Sequence, residues 1–245
     1  MLEIKGMNKS YGENSILQDV DLAVADGEFV AIMGQSGCGK STLLYCASGM
    51  DRPDSGQVRL DSKELSGLSD QEMERMRLTR MGFIFQKPNF LKNLSIRDNI
   101  MFPAMTLKKQ TEKEIAQRAE MLMEKTGILK VAEHDIRTVS GGQLQRAAIC
   151  RALINCPKLV FGDEPTGALN SSATQEVMDI LNRINQEGTA ILLVTHDLRV
   201  AARADRVIYL EDGCVKDELE QGRYEKADLS TREKRLRYWL EEMGF

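Results

Sequence analysis

No apolar run in this 245-residue sequence approaches the roughly 18 residues that span a bilayer, so any membrane role is expected to come through a partner chain. The N-terminus, MLEIKGMNKSYG, lacks the apolar core of a secretory signal, and none is expected. Cysteine is sparse and odd in number: Cys38, Cys46, Cys150, Cys156 and Cys214, with no C-x-x-C pair. That argues against a disulfide framework and a zinc site, and fits a reducing compartment. Basic residues do not outnumber acidic ones: the 33 Lys and Arg against 37 Asp and Glu leave a formal net charge of −4. A nucleic-acid binder would usually show a basic excess, so no nucleic-acid partner is expected. Internal repeats and low-complexity segments are also lacking. What remains, 42% hydrophobic and 29% charged residues, is the balance of a globular domain large enough for a substantial core.

Hydrophobic patterning divides the chain. LEIKGMNKSY and ILQDVDLAV alternate as strands do, EFVAIM is a nearly continuous apolar run, GQVRLD follows a turn, and GFIF reads as a short buried strand. From Ser95 to about Leu153 the pattern turns helical, with TEKEIAQRAEMLMEKTG ending at Gly127. KLVFGD, AILLVT and RVIYLEDG then alternate with helical segments, which implies a parallel core sheet. Residues 1–223 are thus expected to form one α/β domain with a helical sub-domain at about 95–153. Residues 224–245 should add an amphipathic helix, opened by a capping box at Ser230 and Glu233. Its stripe of Leu236, Trp239, Leu240 and Met243 suits packing on its own domain or contact with a partner.

The most specific motif is GQSGCGKS, Gly34–Ser41, between the apolar run EFVAIM and a helical segment, TLLYCASGM. It matches the phosphate-loop pattern G-x-x-x-x-G-K-[ST]. Gly34, Gly37 and Gly39 let the backbone curl around phosphates without Cβ clashes, and the loop and helix amides donate to their oxygens. Lys40 supplies a point charge to the β- and γ-phosphates, and the Ser41 hydroxyl can ligate Mg²⁺. LVFGDEPT ends a strand in two carboxylates whose side chains should diverge: Asp163 toward the Mg²⁺ shell, Glu164 toward an attacking water. His196 follows a buried strand, where ligands collect in open α/β sheets, and is expected at the γ-phosphate; His134 reads as a loop residue. Gln86, just after GFIF, can offer its amide oxygen to Mg²⁺ or be an ordinary strand-end residue. Tyr11 fits an adenine-stacking aromatic or a core residue. A second anion site is suggested by VSGGQLQR, where Ser140 and two glycines precede a helix-favouring run.

Tyr11, GQSGCGKST, Gln86, VSGGQLQR, LVFGDEPT, GALN and VTHD together resemble the ATP-binding cassette superfamily in order and spacing, over Leu2 to about Val215. The resemblance implies a P-loop core with a mixed, mainly parallel sheet, an antiparallel β-subdomain and an inserted helical subdomain. It also implies a homodimer that forms head to tail on ATP. It assigns adenine stacking to Tyr11, and phosphates to Gly34, Gln35, Ser36, Gly37, Cys38, Gly39, Lys40, Ser41 and Thr42. Mg²⁺ falls to Ser41 and Gln86 with Asp163 behind them, the general base to Glu164, and γ-phosphate sensing to His196. Ser140, Gly141, Gly142 and Gln143 become the signature that binds the ATP of the other protomer.

GFIFQKPNFL and EPTGALN are similar to the macrolide-export, lipoprotein-release and cell-division branch. GALNS looks most like the ATPases of antimicrobial-peptide resistance transporters. Asn170 stands where most relatives carry Asp, which keeps hydrogen-bonding capacity and drops the charge. The branch implies a membrane permease on whose cytoplasmic side the ATPase sits, and through it a sensor histidine kinase. Phe90 and Leu91, after Gln86, are the expected permease contact. The alternative is an ATP-gated signalling component, of the cell-division kind, that transports nothing. A repair or translation ATPase fits less well, because those usually carry two cassettes or long coiled-coil insertions. Alkylation of Cys38, inside the phosphate loop, is expected to block ATP binding.

Overall fold

The computed structural model describes residues 1–244. The first half holds β1 (Leu2–Tyr11), β2 (Asn14–Val24), β3 (Phe29–Met33), α1 (Lys40–Ala47), β4 (Ser55–Leu60), β5 (Lys63–Glu64), α2 (Asp70–Arg80) and β6 (Met81–Phe85). The helical stretch holds α3 (Ile96–Leu107), α4 (Glu112–Lys125) and α5 (Gly141–Leu153). The rest comprises β7 (Leu159–Asp163), α6 (Ser171–Gln186), β8 (Ala190–Val194), α7 (Leu198–Ala201), β9 (Arg206–Glu211), β10 (Cys214–Glu220) and α8 (Leu229–Glu242).

The strands form two sheets. An antiparallel sheet has the order β2-β1-β4-β5, and a six-stranded sheet the order β10-β9-β3-β8-β7-β6. In the second sheet every pairing is parallel except that of β10 with β9. β3 shows why its sequence lacks alternation: all five of its residues are buried. Phe29, Ala31 and Met33 join a core beneath the helices. Val30 and Ile32 join a second core with Ile4 of β1, Leu22 of β2, and Leu43 and Leu44 of α1. Successive residues of a strand face opposite sides, so a central strand covered on both faces must be apolar throughout.

Four helices start with a serine or threonine whose side chain accepts from the third helical amide, while the residue there reaches back: Ser69–Glu72, Ser95–Asp98, Thr111–Glu114 and Ser140–Gln143. The capping box expected at Ser230 does not form. A 3-10 turn at Lys226–Asp228 leads into α8, so the chain is already helical at Ser230, and Asp228 takes the cap position without a side-chain bond. An N-cap residue needs extended backbone, which Ser230 no longer has. The helix therefore starts at Leu229 rather than 224, and Phe245 lies outside the described residues. Its stripe packs on its own domain: Leu236, Trp239 and Leu240 are buried in the main core and Met243 packs against it. Trp239 donates to Asp217 at 2.8 Å and meets Tyr209 edge-on. Arg232, buried, ties α8 down by donating to the carbonyls of Ala202, Gln221 and Gly222.

Candidate nucleotide site

β3 delivers the chain to the phosphate loop, and α1 starts where the loop ends. Two glycines explain the loop's path. A Cβ on Gly34 (φ 151°) would lie 2.1 Å from the Leu210 carbonyl oxygen, and one on Gly39 (φ 102°) 2.8 Å from that of Ile16. β9 on one side and β2 on the other leave no room for a side chain, and the left-handed backbone favours glycine as well. Gln35, Ser36 and Gly37 are exposed, whereas Lys40 is buried. Its ammonium donates to the carbonyls of Gly34 at 2.9 Å and Gln35 at 2.6 Å, curled into the loop. A cavity of about 600 Å³ opens here, lined by Ser36, Gly37, Lys40, Ser41 and Thr42 of the loop and by Glu164 and His196 from across the sheet.

The carboxylates do diverge, but a turn rather than strand pleating separates them. Asp163 ends β7 and accepts from the Ser41 hydroxyl at 2.9 Å and the Tyr45 hydroxyl at 2.7 Å. Glu164 takes a left-handed conformation (φ 46°), uncommon for a residue with a side chain, while its amide donates to Val194 at 3.0 Å. Such backbone recurs where function dictates side-chain direction. Glu164 Oε1 thereby lies 2.9 Å from His196 Nδ1. Tyr45 was missed in the sequence, although it follows Ser41 by four residues and so shares its helical face. Burial, and then Asp163, push the Tyr45 phenol up to about 12, so it stays a donor at neutral pH.

Among the described residues, no group of three or more His, Cys, Asp or Glu side chains could hold a metal by itself. Ser41 and Asp163 offer two oxygen ligands side by side. That donor set fits Mg²⁺, which prefers one or two protein oxygens and completes its shell with phosphates and water. Gln86 is exposed, and its amide lies beside Gly167 rather than on the cavity lining.

The remaining candidates occupy other faces. Tyr11 is 49% exposed, which removes the core alternative. Its hydroxyl donates to Asp51 at 2.6 Å. Burial opposes the Asp51 charge, but hydrogen bonds from Tyr11, Lys9 and the Arg52 amide outweigh it and hold the carboxyl below its ordinary range. Cys38 is buried with its sulfur 3.7 Å from the Lys40 ammonium, so a thiol reagent meets exposed Cys156 and Cys214 first. Ser140 caps α5: Gln143 donates its amide to the Ser140 hydroxyl at 3.3 Å and accepts from the Ser140 amide at 2.8 Å. Ser140 and Gly141 are exposed, and neither Gly142 nor Gln143 lines the cavity holding Lys40. Within α5, Gln145 is buried and donates to the Phe85 carbonyl, one residue before Gln86. Asn170 caps α6 through a 2.9 Å bond from the Ala173 amide, a task its amide oxygen performs without charge.

Phe90 is half-buried. Its ring packs on the main core and lies 4.5 Å from the Arg151 guanidinium. Burial pushes Arg151 down to about 10, and it donates to the Pro88 and Asn89 carbonyls, pinning the segment. Leu91 is exposed and lines, with Met50, Phe83, Phe85 and Phe102, a mainly apolar groove of about 490 Å³.

A family model described as ABC transporter matches residues 17–167. The chain is 40% identical over 248 residues to a macrolide export ATP-binding/permease protein, MacB, of Campylobacter jejuni; the match covers the whole chain but only 38% of that relative. It is 41% identical over 215 residues to the lipoprotein-releasing system ATP-binding protein LolD of Leptospira interrogans, covering 87% of this chain and 90% of that one. The dimeric structure of MJ0796, a bacterial ABC transporter cassette, superposes with a TM-score of 0.84 at 37% identity, over 90% of this chain and 98% of that one. A post-hydrolysis dimer of MJ0796 bound to ADP and Pi does so with the same TM-score at 36% identity. Since the family model spans more than half of the chain and the LolD relative is covered almost end to end, the chain belongs to the ABC transporter family, as its ATPase domain.

Proposed function

We propose that the chain binds and hydrolyses ATP as a homodimer at the cytoplasmic face of a membrane, driving a permease that exports or confers resistance to antimicrobial peptides. The observation that carries the catalytic part is the Glu164–His196 contact at the cavity edge, facing Lys40 and Ser41. Lys40 leaves its loop carbonyls for the β- and γ-phosphates, and the loop amides hold the rest of the chain of phosphates. Ser41 and Asp163 would hold Mg²⁺, joined by Gln86 once its amide turns from Gly167, and the ion would neutralise charge on the phosphate oxygens. Glu164 orients water and takes its proton, while His196 holds Glu164 on one side and meets the γ-phosphate on the other.

The dimer reading rests on α5. Its capped, exposed N-terminus has amides free for an anion, yet it does not line this chain's own cavity. Dimeric MJ0796 cassettes of the same fold support a second copy as the source of that anion. Specific ATPase activity is then expected to rise steeply with protein concentration. A flat response down to dilute monomer would exclude it.

For the permease, the apolar groove beside Leu91 suits a short amphipathic helix. No helix among the described residues is long and apolar enough to cross a membrane, so the membrane part comes from outside these residues. Leu91→Asp is the cleaner probe than a change at Phe90, whose ring is packed. Co-purification with a co-expressed permease should drop about tenfold or more while ATP affinity holds, because a charge is buried without a partner. Undiminished co-purification would count against this groove. Protection of cells by the co-expressed pair against a panel of peptide antibiotics tests the cargo.

A further inference from the structure

We propose that Asp51 is a positioning residue for the nucleotide base: a strut, fixed to the far end of the phosphate-loop helix, that holds the Tyr11 ring at a set reach from the phosphate cradle. The proposal rests on the reading of Tyr11 as the base platform. No short-range pattern links the two residues, which lie 40 positions apart, and the strut is visible only in the fold.

Each group of the strut is held by another. Asp51 follows α1, and its amide donates to the Tyr45 carbonyl at 3.1 Å, so its position is tied to the helix that begins with Lys40 and Ser41. One carboxylate oxygen accepts from the Tyr11 hydroxyl at 2.6 Å, and the other from Lys9 at 3.1 Å. Lys9 is 8% exposed and also donates to the Arg52 carbonyl at 2.7 Å, so it is itself held. From there its ammonium lies 5.0 Å from the centre of the Tyr11 ring. A cation over the ring faces the negative side of its π-system, and this keeps that side occupied. With about half of the Tyr11 residue still exposed, the side of the ring away from Lys9 is the one offered to a flat heterocycle. An exposed tyrosine without these bonds would sample several rotamers, and a base would have to select one of them. The charge-assisted hydrogen bond removes that freedom before the base arrives. Because Asp51 is tied to α1 through its backbone amide, platform and cradle keep one spacing, suited to a base carried on a triphosphate of fixed length.

The test separates base from phosphate. ATP and inorganic tripolyphosphate, each with magnesium, are titrated calorimetrically into the chain and its Tyr11→Ala, Tyr11→Phe and Asp51→Ala variants. Loss of the ring should weaken ATP about tenfold or more. Loss of only the hydroxyl, or of only the carboxylate, should weaken ATP about three- to tenfold. All three should leave tripolyphosphate affinity where it was, and combining Tyr11→Phe with Asp51→Ala should add nothing to the larger single effect. Equal weakening of ATP and tripolyphosphate by Asp51→Ala would mean that Asp51 serves only the phosphate loop, and would overturn the proposal. So would a loss in Tyr11→Ala with none in Asp51→Ala or Tyr11→Phe. If Tyr11→Ala itself binds ATP normally, the platform reading falls and takes the strut with it. Tyr11→Phe deletes one oxygen at a half-exposed position, so the comparison survives even if Asp51→Ala does not fold.

Discussion

Glu164→Gln is expected to bind ATP, remain dimeric with it, and turn over about 10²- to 10⁴-fold more slowly, the range for removing a general base. The substitution keeps shape and hydrogen-bonding capacity. It therefore spares the contact with His196 and the left-handed turn, and removes only the site for the proton. The readout is phosphate release under saturating ATP beside equilibrium ATP binding and the size of the species in solution. A variant hydrolysing at the wild-type rate would show that the base lies elsewhere. Asp163 is not placed to stand in for it: its oxygens accept from Ser41 and Tyr45, and, unlike Glu164, it does not line the cavity.

Lys40→Ala should fail one step earlier, at binding. Among the described residues, no other lysine and no arginine lines the cavity. Without Lys40, the carbonyls of Gly34 and Gln35, which now accept from it, are left facing the phosphates. Charge-assisted hydrogen bonds of this kind correspond to a loss of about 10- to 100-fold in ATP affinity, read by calorimetry or by displacement of a fluorescent nucleotide. Affinity within about twofold of wild type would contradict the placement of the phosphates at this lysine.

Much of this site was legible in the sequence because its parts are local. A glycine-rich loop between a buried strand and a helix needs no tertiary information, and nor does a carboxylate pair ending an apolar run. The strands β1–β4 and β6–β9 likewise announced themselves by alternation or by continuous apolar character. β10 did not. Its sequence CVKDELE is mostly charged because it is the edge of the sheet, where charge blocks further pairing. α2 was missed despite its Ser69–Glu72 box, since its face is almost entirely polar and only Met73 is buried. The roles of Tyr45, Lys9, Asp51 and Gln145 depend on partners dozens of residues away. The packing of Phe90 was out of reach for the same reason, because Arg151, which lies over its ring, is on α5.

The close packing of Gly34 on the Leu210 carbonyl and of Gly39 on that of Ile16 has a thermodynamic consequence. The phosphate loop is clamped between two sheets, so its shape exists before any ligand and binding need not freeze a flexible segment. Ordering a residue's backbone costs about 1–2 kcal/mol, so a loop of this length left mobile would consume most of what a triphosphate can contribute. Nucleotide capture by the isolated chain should accordingly be rapid and show the small heat-capacity change of a site that is not folding around its ligand.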